Sequence, residues 1–447
     1  MKSSVQVAVH WLAILFFPFM LHASEQPFSS DGKYMTGDWG GLRTDLKNKG
    51  YDFTLEYGSM VTSNISGGYN RNETVRYSDQ YIVGADFNLE KILGIQDGEF
   101  KMSLIDRNGR DLTVDRIQDP RAPTIGSTVN SNYGRGQTWH ATQFWYRQSW
   151  WNKALDIKLG LMPVGEDFDN NGCYFQNLAL CGSLAGHGSG VWYNTPVGQW
   201  GTRGRYNMTS QVYLQAGAFM YNPSYATRNG SFQLDNTGRT GSMYLAELGF
   251  TPEFGQNKLP GTWKIGVWRN TADANDVLKD SEGNDYVLSK HAPRIHDGRY
   301  GGWLYMQQQV TTQGGDRQRG LSLFWHLAFN DRDTATMDYQ TQLGAVYKGL
   351  FGKRPQDFIG LGLSKMHVNS KVAERARLLN EKKGIDDADN PAWTPVRSAE
   401  YAAELHYSLG LTPWFTLRPN VQLLIHPGGD KEIKNAWVLG SQILLRF

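Results

Sequence analysis

After its first 23 residues the sequence lacks any run of about eighteen apolar residues, the minimum for a helix that crosses a membrane. It also lacks a surplus of either charge, because 45 Lys and Arg residues oppose 43 Asp and Glu residues. Proteins that bind nucleic acid usually carry a basic excess. The first absence excludes a helical membrane protein, and the second argues against a nucleic-acid partner.

Cysteine is nearly absent, since the chain has only Cys173 and Cys181, eight positions apart. A close, even pair in an exported protein predicts a disulfide. A zinc site would need further ligands clustered nearby, and the sequence offers none at this position. We therefore expect one bridge that stiffens a single loop, and no metal or other cofactor.

No arrangement typical of a catalytic site stands out. A hydrolytic enzyme needs a Ser, His and acid set, or an acid and His dyad, placed close together. The histidines follow no such motif and are scattered over His140, His187, His291, His296, His326, His367, His406 and His426. We therefore expect no enzymatic activity. A secreted lectin, which would stay soluble without detergent, is a further class that these observations leave open.

The amino terminus has the layout of a secretory signal peptide. Lys2 precedes an apolar stretch at residues 5–21, which ends near the small residue Ala23. This pattern predicts a removed leader at residues 1–23. An uncleaved signal anchor is the alternative.

What the chain has in abundance is glycine and aromatic residues: 50 Gly, 15 Trp, 22 Tyr and 20 Phe. The mean hydropathy is nevertheless low, at -0.50. A barrel with one face in lipid and the other in water produces this combination, because the two faces cancel in the average. The composition is therefore compatible with a membrane-spanning β-barrel.

Alternation of apolar and polar residues marks sixteen candidate strands. They lie at residues 51–57, 81–89, 99–105, 141–148, 155–162, 199–207, 211–219, 243–250, 262–269, 303–310, 321–329, 341–349, 357–365, 401–409, 415–425 and 436–447. Tilted segments of this length cross a bilayer, and an even number closes an antiparallel barrel. The pattern predicts an all-β, transmembrane antiparallel barrel of 16 strands that occupies residues 51–447.

The links between these segments alternate in length. Long links are expected at residues 59–76, 106–137, 163–198, 220–242, 270–302, 330–340, 366–400 and 426–435, with short turns between them. Outer-membrane barrels show this asymmetry between extracellular loops and periplasmic turns. A soluble all-β sandwich, the alternative, gives no reason for it.

The two faces of the candidate strands separate well. In the first, Tyr51, Phe53 and Leu55 alternate with acidic and hydroxyl residues. The last strand runs to an aromatic carboxyl terminus at Phe447, with Trp437 on the same oily face. We expect the oily face to meet lipid and the polar face to line a watery lumen.

The segment before the first strand, residues 24–50, contains GDWGGLRTDLKNKG. Asp38 can cap a short helix, Leu42 and Leu46 share one of its faces, and Gly50 can end it. We expect a short periplasmic helix. It is too small to be the folded plug of an active transporter.

The stretch Gly37-Asp38-Trp39-Gly40-Gly41, followed by sixteen candidate strands and a terminal Phe, resembles the carbohydrate-selective porins of the OprB type. The resemblance covers essentially the whole mature chain. It implies a passive channel for glucose and related sugars in the outer membrane of a Gram-negative bacterium, in contact with lipid and lipopolysaccharide. It also implies that the barrel assembly machinery reads Phe447. A general or ion-selective porin is the alternative, and either a monomer or a homo-oligomer such as a trimer fits the sequence.

The third long loop, residues 163–198, is the candidate constriction, because in general porins this loop folds inward. We expect Arg107 and Arg110 to donate hydrogen bonds to sugar hydroxyls, and Glu166 and Asp169 to accept them. Trp192 would stack on the apolar face of a sugar. Other side chains expected to face the lumen are Lys101, Ser103, Arg203 and Arg205.

Less specific roles compete with these assignments. Each arginine could simply solvate the lumen wall. The loop carboxylates, Asp167 in particular, could instead bind divalent ions or lipopolysaccharide at the surface.

Overall fold

The computed structural model describes residues 25–132 and 134–447, and its main feature is a barrel of sixteen antiparallel strands. In chain order, β1 to β16 span Tyr51–Ser66, Thr74–Asn88, Gly98–Gly109, His140–Trp150, Leu155–Met162, Gln199–Asn207, Val212–Tyr221, Gly241–Phe250, Leu259–Asn270, Arg299–Gln309, Gly320–Asn330, Met337–Lys348, Phe358–Val368, Ala399–Thr412, Phe415–Ile425 and Ala436–Arg446. All sixteen predicted strands are present, which confirms the predicted fold class. The predicted leader at residues 1–23 lies outside the described residues.

The ring is closed. Each strand pairs with the next one along the chain, and β16 pairs with β1. The seam continues to the carboxyl terminus, where the backbone N–H of Phe447 donates to the carbonyl oxygen of Leu55 at 2.9 Å. Closure satisfies the backbone groups that an open sheet would expose to lipid.

Side chains alternate between the outer surface and the lumen, as the sequence pattern predicts. In β14, Tyr401 and Leu405 are exposed on the outside, whereas Glu404 and His406 are buried in the interior. Residues two apart lie on the same face of a strand, so this separation follows directly from the period of two. The apolar face therefore surrounds the barrel and the polar face fills it.

The first strand is longer than predicted. Polarity after Tyr57 suggested a long link at residues 59–76, but β1 continues to Ser66 and the link shrinks to residues 67–73. The added residues pair on both sides, with β2 and with β16. Inside the barrel, the side-chain oxygen of Asn64 accepts the backbone N–H of Thr74 at 3.0 Å. Paired neighbours on both sides supply the hydrogen bonds that stabilise this polar stretch as strand.

Helices are short and lie in the connections between strands and in the amino-terminal segment. They are α1 Leu42–Asn48, α2 Leu89–Leu93, α3 Ala185–Ser189, α4 Tyr286–Ser289, α5 Ser370–Lys383, the 3-10 turns Trp39–Gly41, Val164–Glu166, Leu178–Leu180, Pro223–Ala226 and Pro427–Gly429, and the π turn Thr113–Ile117. The short strands are Glu253–Phe254, Ala274–Asp280 and Pro293–His296. None of the helices in residues 25–132 and 134–447 is long and apolar enough to cross a membrane.

The predicted amino-terminal helix is present as α1, but its cap differs from the prediction. Gly41 occupies the N-cap position with a φ of +98°, a left-handed conformation that favours glycine. The carboxylate of Asp38 lies further back and accepts the backbone N–H of Thr44 at 3.0 Å. Gly50 follows the helix end with a φ of +102°, in the role predicted for it.

The amino-terminal segment packs across the barrel end that carries the short turns. The indole N–H of Trp414, in the turn between β14 and β15, donates to the carbonyl of Ser29 at 2.8 Å. The backbone N–H of Met35 donates to the carbonyl of Arg446 at 2.8 Å. The segment therefore bridges the last strands, close to the seam.

Candidate pore constriction

Loop L3 (residues 163–198), between β5 and β6, crosses the lumen. The backbone N–H groups of Gln176 and Asn177 donate to the carboxylate of Glu404 at 2.8 and 2.7 Å. Arg418 donates to the carbonyl of Tyr174 at 2.8 Å. Glu404 and Arg418 belong to β14 and β15, half-way around the ring from the strands that anchor the loop. The predicted inward fold of this loop is confirmed.

The predicted disulfide is present within L3. Cys173 and Cys181 are bonded, with their Cα atoms 4.4 Å apart. Between them, Phe175 and Leu180 are buried against Gly362 of β13, where an added Cβ would come within 3.0 Å of both side chains. The bridge therefore closes the part of L3 that reaches the far wall.

A second loop also folds into the lumen, which the sequence analysis did not predict. In loop L2 (residues 110–139), between β3 and β4, Asn130 donates to Ser78 Oγ at 3.0 Å and Asn132 to the carbonyl of Gly58 at 3.1 Å. L2 also meets L3, since the N–H of Leu178 donates to the carbonyl of Thr128 at 2.9 Å. L2 and L3 together narrow the channel.

One signal in the sequence pointed to this burial. Leu112, Ile117 and Val129 are apolar residues within the long link, and all three are fully buried. They pack with Leu424 and Val438 from β15 and β16. Apolar residues at intervals in an otherwise polar loop indicate a segment with its own core contacts.

A cavity of about 500 Å³ lies where the two loops meet the barrel wall and continues towards Trp414 at the periplasmic mouth. Its polar lining includes Gln80, Arg107, Glu166, Asn194, Arg418 and Gln442. Side chains from four strands, β2, β3, β15 and β16, and from L3 thus converge on one opening. This is the candidate constriction.

The structure separates the two arginines predicted as principal donors. Arg107, on β3, lines the cavity, and its Nε donates to Gln80 Oε1 at 2.8 Å. Arg110 begins L2, has a 68% exposed side chain and pairs with Asp115 at 3.1 Å. Arg107 therefore lies at the constriction, whereas Arg110 lies in an exposed ion pair outside the cavity.

The two acidic residues predicted as acceptors also have different surroundings. Glu166 lines the cavity, and its carboxylate accepts a hydrogen bond from the side-chain amide of Gln143. Thr195 Oγ1 lies 3.5 Å from the other carboxylate oxygen. Burial raises the pKa of Glu166, and the neighbouring charge of Asp167 adds to this shift. A carboxylate in this position can accept hydrogen bonds from a solute.

Asp169 is fully buried and its carboxylate is occupied by the protein. One oxygen lies 2.5 Å from His326 Nε2 on β11. The other accepts Ser183 Oγ at 3.0 Å and the N–H of Ala185 at 2.9 Å. Asp169 thus joins L3 to β11 and also links two parts of L3 to each other. Its carboxylate does not face the open channel.

Trp192 is likewise buried. Its ring is 1% exposed and packs edge-to-face on Trp303 of β10, with ring centroids 5.5 Å apart. Its indole N–H donates to Asn194 Oδ1 at 2.9 Å. Instead of offering a stacking surface to a sugar, as predicted, the ring belongs to the core that supports L3.

Arg203 and Arg205 lie nearer the periplasm, in a pocket of about 250 Å³ beside the turn between β4 and β5. Arg203 pairs with Asp156 and with Asp167 Oδ1, the latter at 3.4 Å. Arg205 lies over the ring of Tyr213 at 3.7 Å. These arginines therefore line the periplasmic part of the lumen, below the constriction, which we call the vestibule.

Asp167, the candidate for ion or lipopolysaccharide binding, is paired inside the lumen. Lys158 Nζ lies 2.8 Å from its carboxylate, in addition to Arg203. Further up the wall, Lys101 pairs with Asp86 at 3.1 Å and Ser103 donates to Gln143 at 3.0 Å. This side of the vestibule carries charges that neutralise one another.

One residue missed by the sequence analysis is Arg135, in L2. Its guanidinium lies 5.2 Å from the ring centre of Tyr193 in L3. Burial lowers the pKa of Arg135. Only the path of L2 brings this side chain against L3, so strand alternation gave no signal for it.

Comparison with known proteins agrees with this geometry. The model of the carbohydrate-selective porin, OprB family, matches residues 72–447. The chain belongs to this family. Porin B of Pseudomonas aeruginosa is 46% identical over 427 residues, which cover 95% of this chain and 94% of that protein. The putative porin QuiX of Acinetobacter baylyi is 37% identical, with 94% of each chain covered.

Solved structures of outer-membrane channels have the same fold as this chain. The high-pH structure of Pseudomonas putida OprB has a TM-score of 0.93 and 47% sequence identity, and covers 94% of this chain and 100% of that one. The outer membrane channel DcaP of Acinetobacter baumannii, at 11% identity and a TM-score of 0.51, shares the fold alone. The predicted family and the predicted location in a Gram-negative outer membrane are confirmed. Family and fold indicate a channel rather than an enzyme.

Proposed function

We propose that this carbohydrate-selective porin admits glucose and similar small carbohydrates to the periplasm by passive diffusion, and that Arg107, Arg135 and Glu166 form its selective constriction. The observation that carries the proposal is the meeting of guanidinium and carboxylate groups at a cavity of about 500 Å³ between L2 and L3. Selectivity in a channel depends on the width and the donors and acceptors of its narrowest part.

Sugar hydroxyls both donate and accept hydrogen bonds, so a slot that offers both kinds of group suits them. Arg107 and Arg135 supply donors with fixed planar geometry, and Glu166 supplies an acceptor. Asn194 and Gln442 add neutral amides to the lining. This mixture replaces the water around a hydroxylated solute better than an apolar constriction would.

The outer surface points to the remaining partners. Exposed residues such as Phe144, Leu343 and Leu439 suit outer-membrane lipid and lipopolysaccharide, or a second barrel if the protein assembles as a homo-oligomer. The terminal Phe447 lies at the seam, where the barrel assembly machinery would read it as the last residue of the last strand.

Flux through proteoliposomes tests the proposal. We expect glucose to enter faster than an amino acid of equal size, and Arg107→Ala to lower this ratio about tenfold, since a hydrogen bond to a charged group contributes roughly 1.5 kcal/mol. Arg377→Ala, on the exposed face of α5, is the control and should leave the ratio unchanged. Equal rates for the two solutes would instead identify a general diffusion porin.

A further inference from the structure

Two arginines lie on the outer wall of the barrel, at the rim that carries the long loops. Arg269 is the last residue but one of β9 and shares its face with Val267, whose side chain is 56% exposed. Arg239, in the loop before β8, reaches the same wall, because its Nη2 donates to Ser242 Oγ at 2.6 Å. Ser242 lies two residues before Tyr244, which pairs directly with Arg269 across β8 and β9. The two guanidinium groups therefore belong to one patch.

Exposed tyrosines border this patch, which we call the rim patch (Arg239, Ser242, Tyr244, Arg269 and Tyr300). Tyr244 of β8 and Tyr300 of β10 pair with Arg269 from its two sides and are 52% and 58% exposed. Aromatic residues near the strand ends of a barrel mark the level of the lipid headgroups. A charged side chain is costly in the middle of a bilayer and is tolerated at that level. The rim patch therefore lies where lipid phosphates lie.

The hydrogen bonds of the two arginines go to neutral oxygens. Within the described residues, Arg269 Nη2 donates to the carbonyl oxygen of Asp297 at 3.2 Å. Arg239 Nε donates to the carbonyl oxygen of Gly241 at 3.2 Å, and its Nη2 to the hydroxyl of Ser242. A guanidinium has five N–H donors, so both groups keep donors for a further ligand. A charge-assisted bond to an anion is stronger than any of these contacts.

The acidic side chains closest in the chain to the rim patch do not cancel its charge. Asp235 is turned onto its own loop, where it accepts the side-chain amide of Gln233 at 2.8 Å and the N–H of Thr237 at 2.9 Å. Asp273 and Asp297 are exposed to water, which screens their charges. In the described part of the chain, none of the three carboxylates forms an ion pair with either arginine. The rim patch is therefore positive.

A phosphate of lipopolysaccharide fits this arrangement. The planar fork of arginine binds phosphate with two parallel hydrogen bonds, and tyrosine hydroxyls can add further donors. In a Gram-negative outer membrane, lipopolysaccharide forms the outer leaflet, and its lipid A carries phosphates at headgroup level. Phospholipids form the inner leaflet, at the opposite end of the barrel. Lipid A is therefore the anionic lipid that meets the rim patch.

We propose that the rim patch is a binding site for a lipid A phosphate of lipopolysaccharide. Arg239 and Arg269 hold the phosphate oxygens, and Tyr244 and Tyr300 border the lipid on either side. The site fixes one lipopolysaccharide molecule to the wall at β8 and β9. It lies outside the lumen and does not depend on the sugar-conducting function proposed above.

Binding of lipopolysaccharide to the purified full chain tests the inference. The barrel, held in a neutral detergent with EDTA, is titrated with deep-rough lipopolysaccharide, and native mass spectrometry gives the apparent dissociation constant. EDTA removes divalent cations that could link a phosphate to the exposed carboxylates of Asp273 and Asp297. Removal of the lipid A phosphates with hydrofluoric acid should weaken binding at least about tenfold, since a hydrogen bond to a charged group contributes that factor or more.

Variants of the two arginines identify the site. R239Q/R269Q should bind phosphorylated lipopolysaccharide as weakly as the wild type binds the dephosphorylated form. R239K/R269K, which keeps both charges, should restore most of the affinity. R377Q, at an exposed position of α5, is the control and should bind like the wild type. A heat-dependent shift in gel mobility shows that each variant is a folded barrel.

The opposite results would overturn the inference. Wild-type affinity in R239Q/R269Q removes the arginines from the site, and equal affinity for dephosphorylated lipopolysaccharide shows that the apolar wall alone holds the lipid. Loss of wild-type binding in EDTA assigns the contact to bridging cations. If phosphatidylglycerol binds with the same dependence on the two arginines, the site recognises any lipid phosphate and the assignment to lipopolysaccharide is wrong.

Discussion

At the scale of single residues, one short sequence in L3 places two carboxylates in opposite roles. Glu166 faces the cavity with a raised pKa, whereas Asp169, three positions later, is sealed between His326 and the L3 backbone. The residue types are similar and the surroundings decide the chemistry. Only the first of the two can interact with a passing solute.

Glu166 should make ion selectivity depend on pH. Its pKa lies above the usual value of 4.5, because burial disfavours the charged form. As the pH falls below 7, the carboxylate therefore takes up a proton earlier than an exposed Glu, and the constriction loses its negative charge. We expect the cation-over-anion permeability ratio, measured from reversal potentials across a KCl gradient, to fall over this range.

Two variants complete this pH experiment. Glu166→Gln should show the low ratio at every pH, because it has no proton to take up there. Glu374→Gln, at an exposed position of α5, should follow the wild-type curve. A wild-type ratio that stays constant from pH 7 to the pKa of an exposed Glu would contradict the role of Glu166.

At the scale of secondary-structure elements, L3 is held across the lumen by contacts at separate strands. Asp169 joins it to β11, and Glu404 of β14 accepts two of its backbone N–H groups. The Cys173–Cys181 bridge closes the segment that carries these two N–H groups. The width of the constriction is therefore set by side chains that never meet the solute.

Loss of the Asp169 contact should widen the channel. Asp169→Asn keeps the shape but removes the charged acceptor for His326, at a cost of about 3 kcal/mol for a broken buried pair. We expect a trisaccharide such as raffinose to enter proteoliposomes faster, with little change for glucose. The barrel itself should keep its heat-dependent gel shift, because its strands retain their backbone pairing.

An exposed substitution gives the reference for this size test. Asp389→Asn, in the extracellular loop after α5, should retain the wild-type exclusion of raffinose. The proposed function of Asp169 is refuted if D169N excludes raffinose as strongly as the wild type does.

At the scale of the whole molecule, the barrel depends on its seam. The amino-terminal segment, β1 and β16 meet there, and the backbone of Phe447 extends the pairing by one more bond. The side chain of Phe447 contributes nothing to that backbone bond. Recognition during assembly and stability after assembly can therefore be separated by experiment.

Phe447→Ala should reduce the amount of folded protein in the outer membrane of growing cells severalfold, because the assembly machinery loses its terminal aromatic residue. The same variant, refolded in detergent from denatured protein, should unfold at nearly the wild-type temperature. Leu439→Ala, eight residues earlier on the same outer face, is the matched control. Normal amounts of F447A in cells would contradict the signal role.

The sequence by itself determined the barrel. Alternation with a period of two found all sixteen strands, and for β5, β6 and β15 the predicted ends match the structure. Periodicity is a local property, so it survives in any context that keeps one face in lipid and the other in water. The same pattern placed Arg107 in the lumen, and cysteine spacing predicted the disulfide.

Only the tertiary structure decided the constriction. L2 folds inward, Arg135 reaches Tyr193 of L3, Arg110 stays outside, and Trp192 and Asp169 are buried. Each of these outcomes depends on contacts between residues far apart in the chain, such as Gln176 with Glu404. A loop has no fixed period, so its path follows from the partners that satisfy its buried polar groups, and those partners become neighbours only when the barrel closes.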